Sequence, residues 1–314
     1  MPLFNKTLVG KFVRASKSET LSSRSIDKLL NKSDSFSKYV VKHEKRSKEL
    51  NKKVKILEIM FWVLQSEKGE EFAEALQKRE FTIGTFKAHF NSADVSFLYC
   101  EFFDVYFQIR YNHFLLDSHI ENVQANHPKL LNYFGLLFKC WELIYLIDFS
   151  QDVSKESRQS ENLMRIMFFE QMNLIIKTNE CIIKLAASVH TLNAQETQKL
   201  WHLVNAVDEC RNIFFDSLKT KILIQKFGHF EIQSSVYLGR LKSLIRQRAY
   251  KMTRSAICPL ELDNTIIDVK NGITEDLRKE SKILQNIVRD TFYKERKCSN
   301  DECQLENATI IIVD

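Results

Sequence analysis

Apolar residues recur along most of this chain at helical spacing, with almost no strand alternation. Phe36, Val40, His43, Ser47, Leu50, Val54, Leu57, Phe61 and Leu64 step alternately by four and three. That is a heptad seam with two polar positions, and it predicts one long helix over roughly 25–66. Residues 93–126 carry Phe97, Tyr99, Phe102, Phe103, Tyr106, Phe107, Tyr111 and Phe114 on nearly every face. A helix that is apolar all round is buried. The same pattern returns over 129–149, after Pro128. Further helices are predicted over 160–192, 194–227, 232–257 and 274–296. Asn193, followed three residues later by Glu196, is a capping box that opens the 194–227 helix. A short apolar tail at 309–313 is the only strand-like stretch.

Helix-breaking residues are scarce. Three prolines and seven glycines make ten of 314 residues, against roughly 12% in average usage. Pro breaks helices and Gly loosens them, so the expected fold is all-α, a bundle of long helices. Three parts are expected: an amphipathic helix over 1–20, a helical bundle over 21–297 and a flexible tail over 298–314. Residues 18–25, rich in Ser, read as a hinge.

Charge divides the chain. Residues 1–90 hold 19 Lys and Arg against 11 Asp and Glu, a balance of +8; residues 91–217 hold 10 against 16, or −6; residues 218–314 hold 17 against 13, or +4. These sum to the net +6. Basic ends favour an anionic partner, either a membrane surface or nucleic acid. Within 3–17, Phe4, Leu8, Val9, Phe12 and Val13 share one helical face, while Lys6, Lys11, Arg14 and Lys17 occupy the other. No acidic residue precedes Glu19. Such a helix inserts its apolar face into a membrane interface and sets its cations at anionic headgroups. The same pattern also suits a mitochondrial presequence or a helix docked on the fold. Two more basic stretches are candidates for the same lipid surface. One, the run 38–55, carries Lys38, Lys42, Lys45, Lys52, Lys53 and Lys55. The other, acid-free from 232 to 260, carries Arg240, Arg246, Arg248 and Lys251. The bland reading of each is a solvated face.

Little points to catalysis. No phosphate-binding glycine loop, dinucleotide fingerprint or zinc-protease helix motif is present, and no cofactor is expected. His113 and His119 stand six apart and do not share a helix face, and Cys298 and Cys303 have no second ligand pair, so no metal site is expected. Seven widely spaced cysteines read as reduced intracellular thiols. No membrane span is expected, because 130–149 is interrupted by Lys139, Glu142 and Asp148. Pro2 excludes N-myristoylation, and the last four residues are no prenylation box.

Several residues carry a family resemblance. Asp34-Ser35-Phe36, His43-Glu44, Leu50 and the run Phe72-Ala73-Glu74-Ala75-Leu76, with Val207-Asp208, Arg211, Phe214 and Ser217-Leu218 further on, resemble BAR domains of the oligophrenin and centaurin kind. An amphipathic helix ahead of such a domain is similar to the N-BAR arrangement. The resemblance covers about a quarter of the chain. It implies a coiled-coil scaffold that dimerises and binds anionic membrane lipids from the cytoplasmic side; the heptad seam of residues 36–64 itself wants a partner helix, in a second copy or within the chain. The expected function is peripheral membrane binding in membrane traffic or remodelling. The alternatives are a soluble helical adaptor for protein or nucleic acid, and a mitochondrial protein with a presequence.

Overall fold

The structure, a computed structural model, describes residues 31, 33–46, 50–66, 68–88, 95–120, 126–145, 158–217, 234–254 and 264–293. Among them every regular element is helical: α1 (Ser33–Arg46), α2 (Leu50–Leu64), α3 (Gly69–Gln77), α4 (Gly84–Lys87), α5 (Val95–Asn112), α6 (Phe114–His119), α7 (His127–Tyr145), α8 (Arg158–Ala187), α9 (Ala194–Asp216), α10 (Ser234–Arg254) and α11 (Asn264–Ile287), the last followed by a π-helical turn, Val288–Tyr293. The all-α expectation is met. The amphipathic 1–20 segment and the 298–314 tail lie outside the described residues.

The chain forms two compact units. One comprises Met1–Phe114, Leu146–Phe169 and Tyr293–Asp314; the other comprises Leu115–Tyr145 and Glu170–Phe292.

In the first unit, α1 packs on α3, and α2 and α3 pack on α5. Here the expectation of one straight helix over 25–66 fails. Were α1 collinear with α2, Phe36 would lie about 42 Å from Leu64 at 1.5 Å per residue. Five residues of extended chain from Leu64 to Gly69 and three of helix to Phe72 reach only about 22 Å. Yet the Phe36 and Phe72 rings stack with centroids 4.9 Å apart. The axis of α1 therefore does not continue that of α2. The heptad seam reads the same whether its partner is a second chain or the chain folded back. Its apolar residues Phe36, Val40, Val54, Leu57, Phe61 and Leu64 are buried within this chain.

The core of this unit is aromatic. Phe61 lies 5.0 Å from Tyr106, 6.1 Å from Phe102 and 6.4 Å from Tyr99, centroid to centroid. These are the offset separations that aromatic pairs favour. Two devices fix the joint between α2 and α3. Gly69 sits where a Cβ would come within 2.1 Å of the Leu64 carbonyl oxygen. Buried Arg110 of α5 donates from Nε to the Leu64 carbonyl at 2.7 Å and from Nη2 to the Ser66 carbonyl at 3.3 Å, satisfying groups that the end of α2 leaves without helical partners. Helix α3 ends in a Schellman motif: Phe81 donates to the Leu76 carbonyl at 3.2 Å and Glu80 to that of Gln77 at 2.9 Å. Glu80 takes the left-handed position, φ 52°, where Gly is usual.

In the second unit, α9 packs against α7 and α10, and α10 against α11. Pro128 falls in the first turn of α7, where its missing N–H costs nothing. The capping box of α9 is present: Asn193 Oδ1 accepts from the Glu196 amide, and the Asn193 amide donates to Glu196 Oε2, both at 2.9 Å. Helix α9 stops earlier than the spacing predicts, because Ser217 turns to extended backbone, ψ 137°. Helix α11 starts earlier, at Asn264, and carries Gly272 in its interior.

Candidate basic surface

Each segment assigned to lipid ends differently once its side chains are placed. Phe4, Lys6, Leu8, Lys11, Phe12, Arg14 and Lys17 lie outside the described residues.

In the first unit, Lys38 is well exposed but pairs with Asp34 at 2.9 Å, one turn back. Arg79 also bonds Asp34. The bonds from Lys38 and Arg79 hold the Asp34 carboxyl below its usual range. Lys42 is exposed on the same helix. Lys45 and Lys52 fall within α1 and α2. The run from 38 to 55 is not one solvated face. Lys53 is buried, and Lys55, only 11% exposed along its side chain, pairs with Glu58 at 3.1 Å. The run straddles the change of axis between α1 and α2, so spacing that would align these lysines on one straight helix does not align them here.

In the second unit, α10 buries Leu238, Leu241 and Ile245, a 3,4 spacing that turns Arg240, Ser243 and Arg246 outward, all exposed. Two other cations of α10 serve the fold. Lys242 bonds Asp208 of α9. Arg248 donates from Nη2 to the Leu192 carbonyl at 2.9 Å, beside the α9 cap, and its burial lowers its hold on the proton. Lys251 lies within α10. Of the four α10 residues assigned to lipid, Arg240 and Arg246 are exposed cations, while Arg248 is spent on a turn.

Helix α11 adds cations that the sequence reading left out. Ile273, Leu277 and Leu284 are buried; at 100° per residue, Asn271, Arg278 and Lys282 share an arc of about 40° on the other side, and all three are exposed. Arg278, Lys279, Lys282, Asn271, Thr274 and Glu275 line an open depression of about 450 Å³. Lys279 pairs there with Glu275 at 2.7 Å, and the bond from Lys279 keeps the Glu275 carboxyl ionised below its usual range. The spacing of 278 and 282 was legible; the interior Gly272 hid the extent of the helix carrying them.

Several buried polar groups of this unit bond to one another. Arg211 of α9 and Glu280 of α11 form an ion pair, their side chains 2% and 1% exposed. Asn179 of α8 donates to Glu280 Oε1 at 3.0 Å and to Ser281 Oγ at 3.2 Å. Nearer α6, Asp117 accepts from Tyr133 at 2.9 Å and from Lys177 at 2.6 Å. Burial pushes the Cys140 and Cys181 thiols well above their ordinary range, and takes Cys100 to about 12 and Cys210 to about 11. Thiols so placed are poor nucleophiles. Among the described residues, no group of His, Cys, Asp and Glu is arranged to hold a metal ion, and no helix is long and apolar enough to cross a membrane. No protein-family model, curated protein or solved structure matches the chain.

Proposed function

We propose that this protein is a peripheral membrane-binding helical scaffold, acting at the cytoplasmic face in membrane traffic or remodelling, without catalytic chemistry of its own. The observation that carries this reading is the outward face of α10, where Arg240 and Arg246 stand exposed in a stretch free of acidic residues from 232 to 260. Cations so placed attract anionic headgroups at about 1 kcal/mol each near the surface. The amphipathic pattern of residues 3–17 supplies the anchoring half: Phe4, Leu8 and Phe12 enter the interface while Lys6, Lys11, Arg14 and Lys17 remain at headgroups. The BAR-like residues agree with this reading. Coverage of the 36–64 seam within the chain means that the reading does not need a second copy.

The test is co-sedimentation with vesicles of phosphatidylcholine and phosphatidylserine. Phe12→Glu is expected to lower vesicle binding at least about tenfold, because it sets a charge on the inserting face. Binding unchanged by Phe12→Glu, yet lost in high salt, would leave electrostatics alone and remove insertion.

A second reading, a soluble adaptor for another protein, is favoured by one feature. Ile213 of α9 is 48% exposed, on a flank with the half-buried Leu203, Ala206 and Cys210.

A further inference from the structure

The second unit is electrically two-sided. Among the side chains described, the outer faces of α10 and α11 expose Arg240, Arg246, Arg278, Lys279 and Lys282, and the turn after α11 exposes Arg289, against one exposed carboxylate, Glu275, with Asp276 and Asp290 half-buried. The outer faces of α7 and α9 expose Lys129, Lys139 and Lys199 against Glu142, Glu209 and Asp216. Among the described side chains, the first pair with its terminal turn therefore exposes six cations to one anion, and the second pair three to three. Arg246, Arg278 and Lys282 are the cleanest members of the excess, since Lys279 bonds Glu275 and Arg289 bonds Asp290 at 3.2 Å.

From this asymmetry we infer that the α10/α11 face of the second unit is itself a docking surface for an anionic lipid bilayer, with α7 and α9 turned away from it. The inference rests on the membrane reading above and adds the face, its α11 residues and the orientation. Two observations select a bilayer as occupant. The cations are distributed over two packed helices, which suits an extended anionic surface more than a single phosphate. The exposed large apolar side chains among the described residues are Tyr111 and Ile213, neither on α10 or α11. Among the side chains described on this face, none is an aromatic on which nucleic-acid bases would stack and none is an apolar wedge. Its attachment is electrostatic and weakens as salt rises, unlike insertion by Phe12. A charge difference between two sides of one unit also orients it, because the field acts on where charge sits and not only on its sum.

The experiment uses the full chain and two triple variants that remove equal charge. Arg246→Gln/Arg278→Gln/Lys282→Gln strips the α10/α11 face; Lys129→Gln/Lys139→Gln/Lys199→Gln strips the α7/α9 face. Thermal melts of both check that they fold. Binding to phosphatidylcholine vesicles containing phosphatidylserine is expected to fall at least about tenfold for the first triple and less than about twofold for the second. Equal losses in the two triples would show net charge without a face and overturn the inference. So would no loss in the first triple. A single-stranded oligonucleotide that displaces the wild-type protein from vesicles at equal phosphate concentration would overturn the bilayer as occupant. If the wild-type protein binds no vesicles, the membrane reading fails and this inference falls with it. If Phe12→Glu abolishes binding while the two triples behave alike, the inference fails by itself.

Discussion

The two units differ in how buried charge links their helices. In the first, a ring cluster around Phe61 fills the core, and buried Arg110 spends its donors on the backbone carbonyls of Leu64 and Ser66. In the second, charge meets charge between helices: Arg211 with Glu280, Lys177 with Asp117. A ring cluster stabilises through area and shape. A buried ion pair gains little net energy over well-packed apolar residues, yet is costly to half-remove. The first unit should therefore respond to lost volume, and the second to lost pairing.

The sharpest test lies at Glu280. Glu280→Leu strands Arg211 and is expected to lower unfolding free energy by about 4 kcal/mol, read from urea denaturation. The double change Arg211→Met/Glu280→Leu should recover most of that loss. A double variant as unstable as the single would show that the pair is not what couples these helices. The counterpart in the first unit is Phe61→Ala, expected to cost about 3 kcal/mol through the cavity it leaves. A loss below about 1 kcal/mol would mean that the ring cluster relaxes around the gap. The smallest effect is a gain. Glu80→Gly relieves a left-handed residue whose side chain is exposed, and should stabilise the protein by about 0.5 kcal/mol, visible as a higher Tm.

Much of the fold was legible because its signals are local. Asn193 and Glu196 announce the start of α9, Pro128 that of α7, and most aromatics of 93–114 their own burial, with Tyr111 exposed and Phe97 and Phe114 half-buried instead. What was illegible depends on distant partners. The heptad from Phe36 to Leu64 has one spacing whether the chain runs straight or folds back, and only the Phe36–Phe72 stack decides. Lys53 looked like part of a solvated run, because neighbouring lysines do not reveal a change of axis. Arg248 looked like a free cation, because its acceptor, the Leu192 carbonyl, stands 56 residues away. Nothing in its own neighbourhood marks Glu80 as the left-handed residue, since Glu is not the residue that such positions select. Of the candidate site, Arg240 and Arg246 were legible from composition. Arg278 and Lys282 needed the full length of α11.

The bond from Arg110 to the end of α2 spans 46 residues. Translation proceeds from the N-terminus at about 5–20 residues per second, so for several seconds α2 exists before the side chain that completes it. A nascent chain halted short of Arg110 lacks the guanidinium bond to the Leu64 carbonyl, and carries a hydrophobic face that α5 has yet to cover. The first unit thus closes only after its fifth helix has left the ribosome, and until then its earliest helices are a ready substrate for a chaperone.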